Sequence, residues 1–257
     1  MALLSVREET MRFGGLFANQ SISFDVQEGE LLAVIGPNGA GKTTLFNVIS
    51  GFFPPTSGSI HFDGEDITGK SSHDVASAGL VRTYQLVQLF KQLTVAENVE
   101  IGSHRVTRGG VFSALFRPEW MREQEKSVAQ GARDLLRFVG LEHQADMMAD
   151  TLPYGRQRLL EVARALAAKP RLLLLDEPAA GLNTQETDAL AEVITRIHGT
   201  GTTVILIEHD MSLVMKIAQR IVVLDFGKKI AEGTPDEIKA HPDVIAAYLG
   251  GTEMADA

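Results

Sequence analysis

A glycine-rich stretch, Gly-Pro-Asn-Gly-Ala-Gly-Lys-Thr-Thr at 36–44, constrains the fold of this chain more than any other feature. It follows an apolar run at 31–35 that is typical of a buried β-strand, and it precedes residues 45–49, which are typical of the first turns of a helix. A loop between strand and helix suits a polyphosphate, because glycines let the backbone approach the oxygens and the helix dipole attracts their charge.

The last residues of this stretch complete the G-x-x-x-x-G-K-T pattern, which argues against an ordinary glycine-rich turn. In this pattern the lysine reaches the β- and γ-phosphates, and the following hydroxyl is a ligand for Mg²⁺. The predicted nucleotide-binding residues of the loop are Gly36, Asn38, Gly39, Ala40, Gly41, Lys42, Thr43 and Thr44.

Composition and charge bound the class of protein. Of the 257 residues, 24 are basic and 33 are acidic, and the net charge of −9 argues against a nucleic-acid partner, where a basic face supplies most of the affinity. The absence of cysteine excludes disulfides, thiolate catalysis and Cys-type metal sites. We expect neither a signal peptide nor a membrane helix, since no apolar stretch approaches the ~20 residues that a membrane helix needs. A chain of this kind would work at a membrane by docking onto an embedded partner.

A second strong signal lies at 170–178, where four consecutive leucines precede Asp176, Glu177 and Pro178. The leucine run predicts a central parallel strand that is buried on both faces. Two carboxylates at the carboxyl end of such a strand are unfavourable unless they act on a cation or a proton, and ligands of open α/β sheets bind at that edge. We therefore expect Asp176 on the Mg²⁺ side of the site and Glu177 as the residue that orients or deprotonates the attacking water.

The remaining patterns place further elements. Residues 1–30 predict antiparallel strands, and the pattern from about 91 to 168 is helical. Capping boxes, Thr94 to Glu97 and Asn183 to Glu186, predict two helix N-termini. In the helix that begins near Leu152, Glu161 and Arg164 are expected to be exposed.

Three residues each allow a structural and a functional interpretation. Phe13, 23 residues before Gly36, is either a core aromatic, which base rates favour, or a platform for a purine ring. Gln85 at the end of a strand is usually a polar loop residue. His209 after a buried strand is more often structural than catalytic.

Together, these residues resemble the ATP-binding subunit of an ABC transporter. The glycine-rich loop, Gln85, the stretch at Leu152, the Leu-Leu-Leu-Leu-Asp-Glu run and His209 occur in the family's order over essentially the whole chain. The resemblance implies an α/β P-loop NTPase fold with a mixed sheet, an N-terminal antiparallel β subdomain and an inserted helical subdomain. It implies one domain, 1–257, with the nucleotide-binding core at 1–85 and 169–257 and the helical subdomain at 86–168.

The resemblance also implies a role for each motif residue, with ATP and Mg²⁺ as the cofactors. Phe13 occupies the position of the aromatic that stacks on adenine, where the family often has Tyr. Gln85 touches Mg²⁺ or water and faces the membrane subunit, and Asp176 supports the metal. Glu177 is the catalytic base and His209 contacts the γ-phosphate. The implied catalytic residues are Glu177, His209 and Gln85, and the implied metal-site residues are Thr43, Gln85 and Asp176.

The chain departs from the family pattern at two places. The signature Leu-Ser-Gly-Gly-Gln, which acts in trans on ATP held by the opposite subunit, is replaced here by Leu152 followed by Pro153, Tyr154, Gly155 and Arg156. Pro153 has neither the hydroxyl nor the N–H of the usual serine. The loop that usually ends in Ala-Leu-Asp reads Gly-Leu-Asn at 181–183.

Finer stretches at 81–85, 179–183, 207–211 and 241–249 are similar to branched-chain amino acid importers. In these systems two different ATPase subunits pair beneath two membrane permeases, and a periplasmic solute-binding protein acts indirectly. The resemblance implies a peripheral protein on the cytoplasmic face of the inner membrane, in a homo- or heterodimer. We predict that the segment from Gln85 to about Phe116 docks the permease, with apolar residues Leu86, Val87, Leu89, Phe90, Val111, Phe112, Leu115 and Phe116. A urea or amide importer, a lipopolysaccharide exporter and a soluble assembly-factor ATPase are the alternatives.

Overall fold

The computed structural model of the chain describes residues 2–103 and 119–253 and shows a mixed α/β protein with two sheets. The strands are β1 (Ala2–Phe13), β2 (Leu16–Gln27), β3 (Leu31–Ile35), β4 (Ser57–Phe62), β5 (Glu65–Asp66), β6 (Leu80–Arg82), β7 (Leu172–Asp176), β8 (Thr203–Ile207), β9 (Arg220–Asp225) and β10 (Lys228–Gly233). The helices are α1 (Lys42–Ile49), α2 (Ser72–Ala78), α3 (Val95–Gly102), α4 (Glu119–Val139), α5 (Tyr154–Ala167), α6 (Thr184–Gly199), α7 (Met211–Ile217), α8 (Pro235–Lys239) and α9 (Pro242–Glu253).

The first sheet is antiparallel and has the order β2-β1-β4-β5. Its long β1–β2 hairpin turns at Gly14 and Gly15, so the prediction of antiparallel strands in the first thirty residues is confirmed. One face of this sheet packs on α1 and on the second sheet, where Phe24, Phe46 and Phe62 are buried in one apolar cluster.

The second sheet has the order β10-β9-β3-β8-β7-β6, in which only β10 runs antiparallel to its neighbour. β3, β7 and β8 are buried along their whole length, as the apolar runs predicted. Because these strands are parallel, their carboxyl ends meet at one edge. The glycine-rich loop, Asp176 and the residues after β6 and β8 therefore converge there.

Between β6 and β7 the described residues form α3, α4 and α5, without a strand and with one isolated bridge from Thr94 to Met148. The three helices share an apolar core with the larger sheet, to which Val99, Leu136 and Leu160 belong. Both predicted capping boxes are present at α3 and α6. The boundaries 86 and 168 of a helical subdomain stay a prediction. Val111, Phe112, Leu115 and Phe116 of the predicted docking segment lie outside the described residues.

One prediction about α5 is wrong. Glu161 is buried, with 2% of its surface exposed, and Arg164 is half-buried. The expectation failed because the polar face of α5 also has a neighbour, the segment that follows β6. Within the described residues, no helix is both long and apolar enough to cross a membrane.

Candidate functional site

The glycine-rich loop at 36–41 connects β3 to α1, as its sequence context predicted. Gly41 is the N-cap of α1 with a φ of 99°, and Gly36 has a φ of 152°. A Cβ at Gly36 would collide with the carbonyl oxygen of Leu224, and one at Gly41 would collide with the side chain of Asn19. Glycine is therefore required at both positions by conformation and by space.

Lys42 is the first residue of α1 and has a buried ammonium group. Its Nζ donates hydrogen bonds to the carbonyl oxygens of Gly36 at 2.7 Å and Pro37 at 3.0 Å. Burial lowers the pKa of Lys42, whereas the negative charges of Glu177 and Asp176 oppose that shift. The structure thus holds a cation between the loop and two carboxylates, which suits a negatively charged phosphate chain.

A cavity of about 440 Å³ opens above the loop. It combines backbone amides at a helix N-terminus, a lysine, two threonine hydroxyls and a carboxylate, which is the donor set for a polyphosphate next to a hydrolytic group. Its lining residues are Leu16, Phe17, Ala18, Asn38, Gly39, Ala40, Gly41, Lys42, Thr43, Thr44, Glu177 and Phe226.

Glu177 follows β7 in a left-handed conformation, with a φ of 46°. Its amide donates to the carbonyl oxygen of Ile207 at 3.0 Å, which ties this position to β8. The side-chain amide of Gln85 donates to Oε2 of Glu177 at 2.8 Å, and Nδ1 of His209 lies 3.9 Å from the same oxygen. The three predicted catalytic residues therefore lie together, with the carboxylate at the cavity.

Asp176 is the last residue of β7, directly before Glu177, and is 2% exposed. Its Oδ2 accepts a hydrogen bond from Nη2 of Arg82 at 2.7 Å. Its Oδ1 is buried and accepts no hydrogen bond from the residues that the structure describes. Burial raises the pKa of Asp176, and the ion pair with Arg82 opposes that shift.

Two exposed aromatics of the β1–β2 hairpin, Phe13 and Phe17, lie in different places. Phe13 is half-exposed and packs edge-on against Phe53, with ring centroids 5.9 Å apart. Phe17 is equally exposed and lines the cavity, where the guanidinium of Arg12 lies 5.4 Å from its ring centroid. The structure places Phe17 at the cavity, and Phe13 does not belong to its lining; the stacking role of Phe13 stays a prediction.

Comparison with known proteins identifies the family. The family model described as "ABC transporter" matches residues 19–180, and the model described as "Branched-chain amino acid ATP-binding cassette transporter" matches residues 228–253. The chain belongs to the ABC transporter family of ATPases. This ABC ATPase is 47% identical to the high-affinity branched-chain amino acid transport ATP-binding protein BraF of Pseudomonas aeruginosa, over 96% of this chain and 98% of that protein. It is 46% identical to the protein of the same description, LivG, of Escherichia coli K12, over 96% and 98% of the two chains.

A solved structure confirms the fold. The ADP conformation of MJ1267, an ATP-binding cassette of an ABC transporter, superposes with a TM-score of 0.84 at 32% identity, over 97% of this chain and 99% of that chain. The predicted fold class, an ABC-type P-loop core with a mixed sheet, an antiparallel β part and a helical part, is therefore confirmed. The cavity above the loop is the candidate nucleotide site of this cassette.

The signature segment of the ABC ATPase lies at the N-terminus of α5, away from the cavity lining. Pro153 is the N-cap and offers no side-chain hydrogen bond, while its carbonyl accepts from the amides of Arg156 and Gln157 at 2.9 and 3.0 Å. Pro153, Tyr154 and Arg156 are exposed, and Gly155 is buried against the carboxylate of Glu186. Nη1 of Arg156 donates to the carbonyl of Gly140 at 2.9 Å.

Sequence reasoning missed two arginines of the ABC ATPase. Arg82 is paired with Asp176, as described above. Arg158, on α5, is buried beside Glu161 and donates to the carbonyl oxygens of Tyr84 and Gln85, at 3.2 and 2.5 Å respectively. A signal was available for Arg82, because an arginine inside a short strand next to a strand that ends in two carboxylates has a charged partner within reach.

Proposed function

We propose that this ABC ATPase binds Mg²⁺–ATP and hydrolyses it to drive the import of branched-chain amino acids through partner permeases. The observation that carries the catalytic part is the position of Glu177 at the cavity above the glycine-rich loop, with Gln85 and His209 at its carboxylate. The similarity to BraF and LivG along nearly the whole chain supports the solute class, together with the C-terminal match at 228–253.

Binding rests on the loop and on Lys42. The amides at the start of α1 and the Lys42 ammonium would hold the β- and γ-phosphates, because both present positive charge at the cavity. The adenine ring would stack on an aromatic side chain of the β1–β2 hairpin, for which Phe13 is the candidate from the sequence and Phe17 the candidate from the cavity.

The residues around Thr43 fit Mg²⁺. Thr43 offers a hydroxyl oxygen at the cavity, and Oδ1 of Asp176 is a buried carboxylate oxygen without a hydrogen-bond donor among the described residues. Oxygen donors of this kind, next to phosphates, are what Mg²⁺ prefers. Thr43, Asp176 and Gln85 would hold the ion and its water. When bound, Mg²⁺ neutralises charge on the phosphate oxygens.

In hydrolysis, Glu177 would orient the attacking water and accept its proton. Gln85 keeps the carboxylate in place through its hydrogen bond to Oε2, and His209, within 3.9 Å of that oxygen, would contact the γ-phosphate. Lys42 would stabilise the negative charge that develops on the phosphate oxygens, since it is fixed by α1 before the reaction begins.

We propose that the chain forms a dimer with a second ABC ATPase subunit, on the cytoplasmic face of the membrane beneath two permeases. A periplasmic solute-binding protein would be an indirect partner. The exposed Pro153, Tyr154 and Arg156 support a trans contact at the partner's ATP. The segment after β6 supports a permease contact, because Leu86 is 72% exposed. Movement of that segment would reach Glu177 through Gln85.

The first experiment tests hydrolysis. We expect Glu177→Gln to retain ATP binding and to hydrolyse ATP about 10²–10⁴-fold more slowly, because the amide keeps the shape of the side chain and cannot accept the proton. Lys42→Ala is the companion variant, which should fold normally but lose ATP affinity in isothermal titration calorimetry. Turnover close to wild type in Glu177→Gln would place the base elsewhere.

The second experiment tests the solute. Uptake of labelled leucine should disappear in a strain lacking this gene and return with the wild-type gene, but not with Glu177→Gln. Loss of urea or amide uptake with normal leucine uptake would assign the ATPase to a different importer. Purification with soluble partners and without permeases would indicate an assembly factor.

A further inference from the structure

Arg82 is a buried cation at the carboxyl end of β6, and 5% of its side chain is exposed. Its Nη2 donates to Oδ2 of Asp176 at 2.7 Å. Its Nη1 donates to Oδ1 of Asn47 at 2.8 Å and to Oγ of Ser50 at 3.0 Å. The guanidinium group therefore binds one carboxylate and two neutral oxygens at the same time.

These partners lie on separate elements. Asn47 belongs to α1 and Ser50 is its C-cap, so both are fixed relative to the glycine-rich loop at the other end of that helix. Asp176 ends β7, which pairs in parallel with β6. The central carbon of the guanidinium also lies 5.7 Å from the Phe46 ring centroid and 5.3 Å from that of Tyr84, and these contacts restrict its orientation.

The contact divides the Asp176 carboxylate into two unequal oxygens. Oδ2 accepts a hydrogen bond from a charged donor, whereas Oδ1 is buried and accepts no hydrogen bond within the described part of the chain. A carboxylate held by one oxygen cannot rotate freely, so the position of the other oxygen is determined by the donor.

We propose that Arg82 is a positioning residue for Mg²⁺–nucleotide binding: it holds Oδ2 of Asp176 against α1 and leaves Oδ1 for the water shell of the metal. The inference rests on the metal site of the proposed function. It adds that the strand leading to Gln85 and the helix following the phosphate loop meet at the metal-side carboxylate through one side chain.

The test compares nucleotide affinity with and without metal, which does not depend on hydrolysis. Isothermal titration calorimetry of the full chain with AMP-PNP, in excess Mg²⁺ and in EDTA, gives two dissociation constants. The quantity compared is the constant in EDTA divided by the constant in Mg²⁺. We expect Arg82→Met to reduce this ratio by about 10- to 100-fold, the usual effect of losing an outer-shell partner of a metal ligand, while the dissociation constant in EDTA stays within about twofold of wild type. Arg82→Lys should give a smaller reduction, because an ammonium keeps the charge and lacks the planar fork.

Arg220→Met is the matched control. Arg220 is paired with Glu30 at 2.7 Å in the same sheet, but at the amino ends of β9 and β3, opposite the site. The Arg220→Met variant should have a lower thermal stability than wild type and an unchanged ratio of the two dissociation constants. Circular dichroism checks that each variant is folded.

The outcomes separate this inference from the proposed function. A wild-type ratio of one would remove the metal from the proposed function and this inference with it. A wild-type ratio well above one that Arg82→Met and Arg82→Lys both retain would overturn this inference alone, as would equal losses of affinity in Mg²⁺ and EDTA, which indicate a purely structural role. If Arg82→Met does not fold, Arg82→Lys decides: a reduced ratio supports the inference and an unchanged ratio overturns it.

Discussion

Two side chains, Phe13 and Phe17, are candidates for stacking on the adenine ring. Stacking of a base on an aromatic ring is worth about 1–3 kcal/mol, by analogy with nucleic-acid binders. We predict that Phe13→Ala weakens ATP binding by an amount of this order in isothermal titration calorimetry. Phe17→Ala is the informative comparison, because Phe17 lines the cavity. Unchanged affinity in Phe13→Ala together with a loss in Phe17→Ala would assign the stacking role to Phe17.

Glu9 gives a prediction about pH at the same scale. It is buried in β1 beside Asn19, whose Nδ2 donates to it at 2.9 Å, and burial raises its pKa to about 7. The unfolded chain releases this proton near pH 4.5, whereas the folded chain keeps it up to about pH 7. The native state therefore binds more protons between these values, and the free energy of unfolding should fall by about 3 kcal/mol as the pH rises through this window.

The measurement for Glu9 is urea unfolding at several pH values. Glu9→Gln should remove this part of the pH dependence, since an amide does not titrate. Glu65→Gln is the control, because Glu65 lies on β5 with its side chain largely exposed. An identical pH profile for the wild type and Glu9→Gln would show that Glu9 does not titrate in this range.

The clearest departure from the family's sequence pattern lies at the N-terminus of α5. Its N-cap, Pro153, cannot donate the hydrogen bond that the usual serine would give to ATP on the opposite subunit, and such a bond to a charged group is worth about 1.5–3 kcal/mol. We therefore hypothesise a heterodimer in which the site completed by this signature is the weaker one.

Pro153→Ser tests this hypothesis in the reconstituted complex. A serine would also cap α5, which typically adds about 1 kcal/mol, so the thermal stability of the isolated chain is measured alongside the ATPase rate. We expect a higher rate or tighter ATP-driven dimerisation. Arg156→Ala shows whether a cation near the phosphates compensates for the missing serine. If neither variant changes the rate, Pro153 is functionally neutral.

At the scale of the whole molecule, the segment after β6 joins the predicted permease surface to Glu177, the proposed catalytic base. Arg158 and Arg164 on α5 donate to backbone carbonyls of this segment, and Gln85 within it holds Glu177. Leu86 and Phe90 are exposed apolar residues of this segment. Force applied by a permease at this surface would therefore reach both α5 and the site.

We predict that Leu86→Glu uncouples transport from hydrolysis: solute uptake by the complex should be lost, because a charge cannot be buried at an apolar contact, while the isolated chain keeps its basal ATPase rate. Ile245→Glu, at an exposed apolar position of α9, is the control and should leave uptake normal. Charged substitutions at Phe112 and Phe116, beyond the described residues, should act like Leu86→Glu. Normal uptake in all three variants would contradict the docking surface, and failure to fold would show that the substituted residue belongs to the core.

The sequence by itself determined those features whose physical cause is local. The glycine-rich loop, the buried strands β3 and β7 and the capping boxes of α3 and α6 each depend on residues a few positions apart, so their patterns are complete within a short window. The carboxylates were predictable because a strand buried on both faces tolerates charge only at its end.

Only the tertiary structure decided which distant side chains meet. Arg82 and Asp176 are 94 positions apart and pair because β6 lies beside β7 in the sheet. Glu161 is buried because the segment after β6 covers the polar face of α5, and Phe17 lines the cavity because the β1–β2 hairpin folds over the glycine-rich loop. Periodicity shows which face of an element is apolar, but strand order and helix packing determine what that face and its opposite contact.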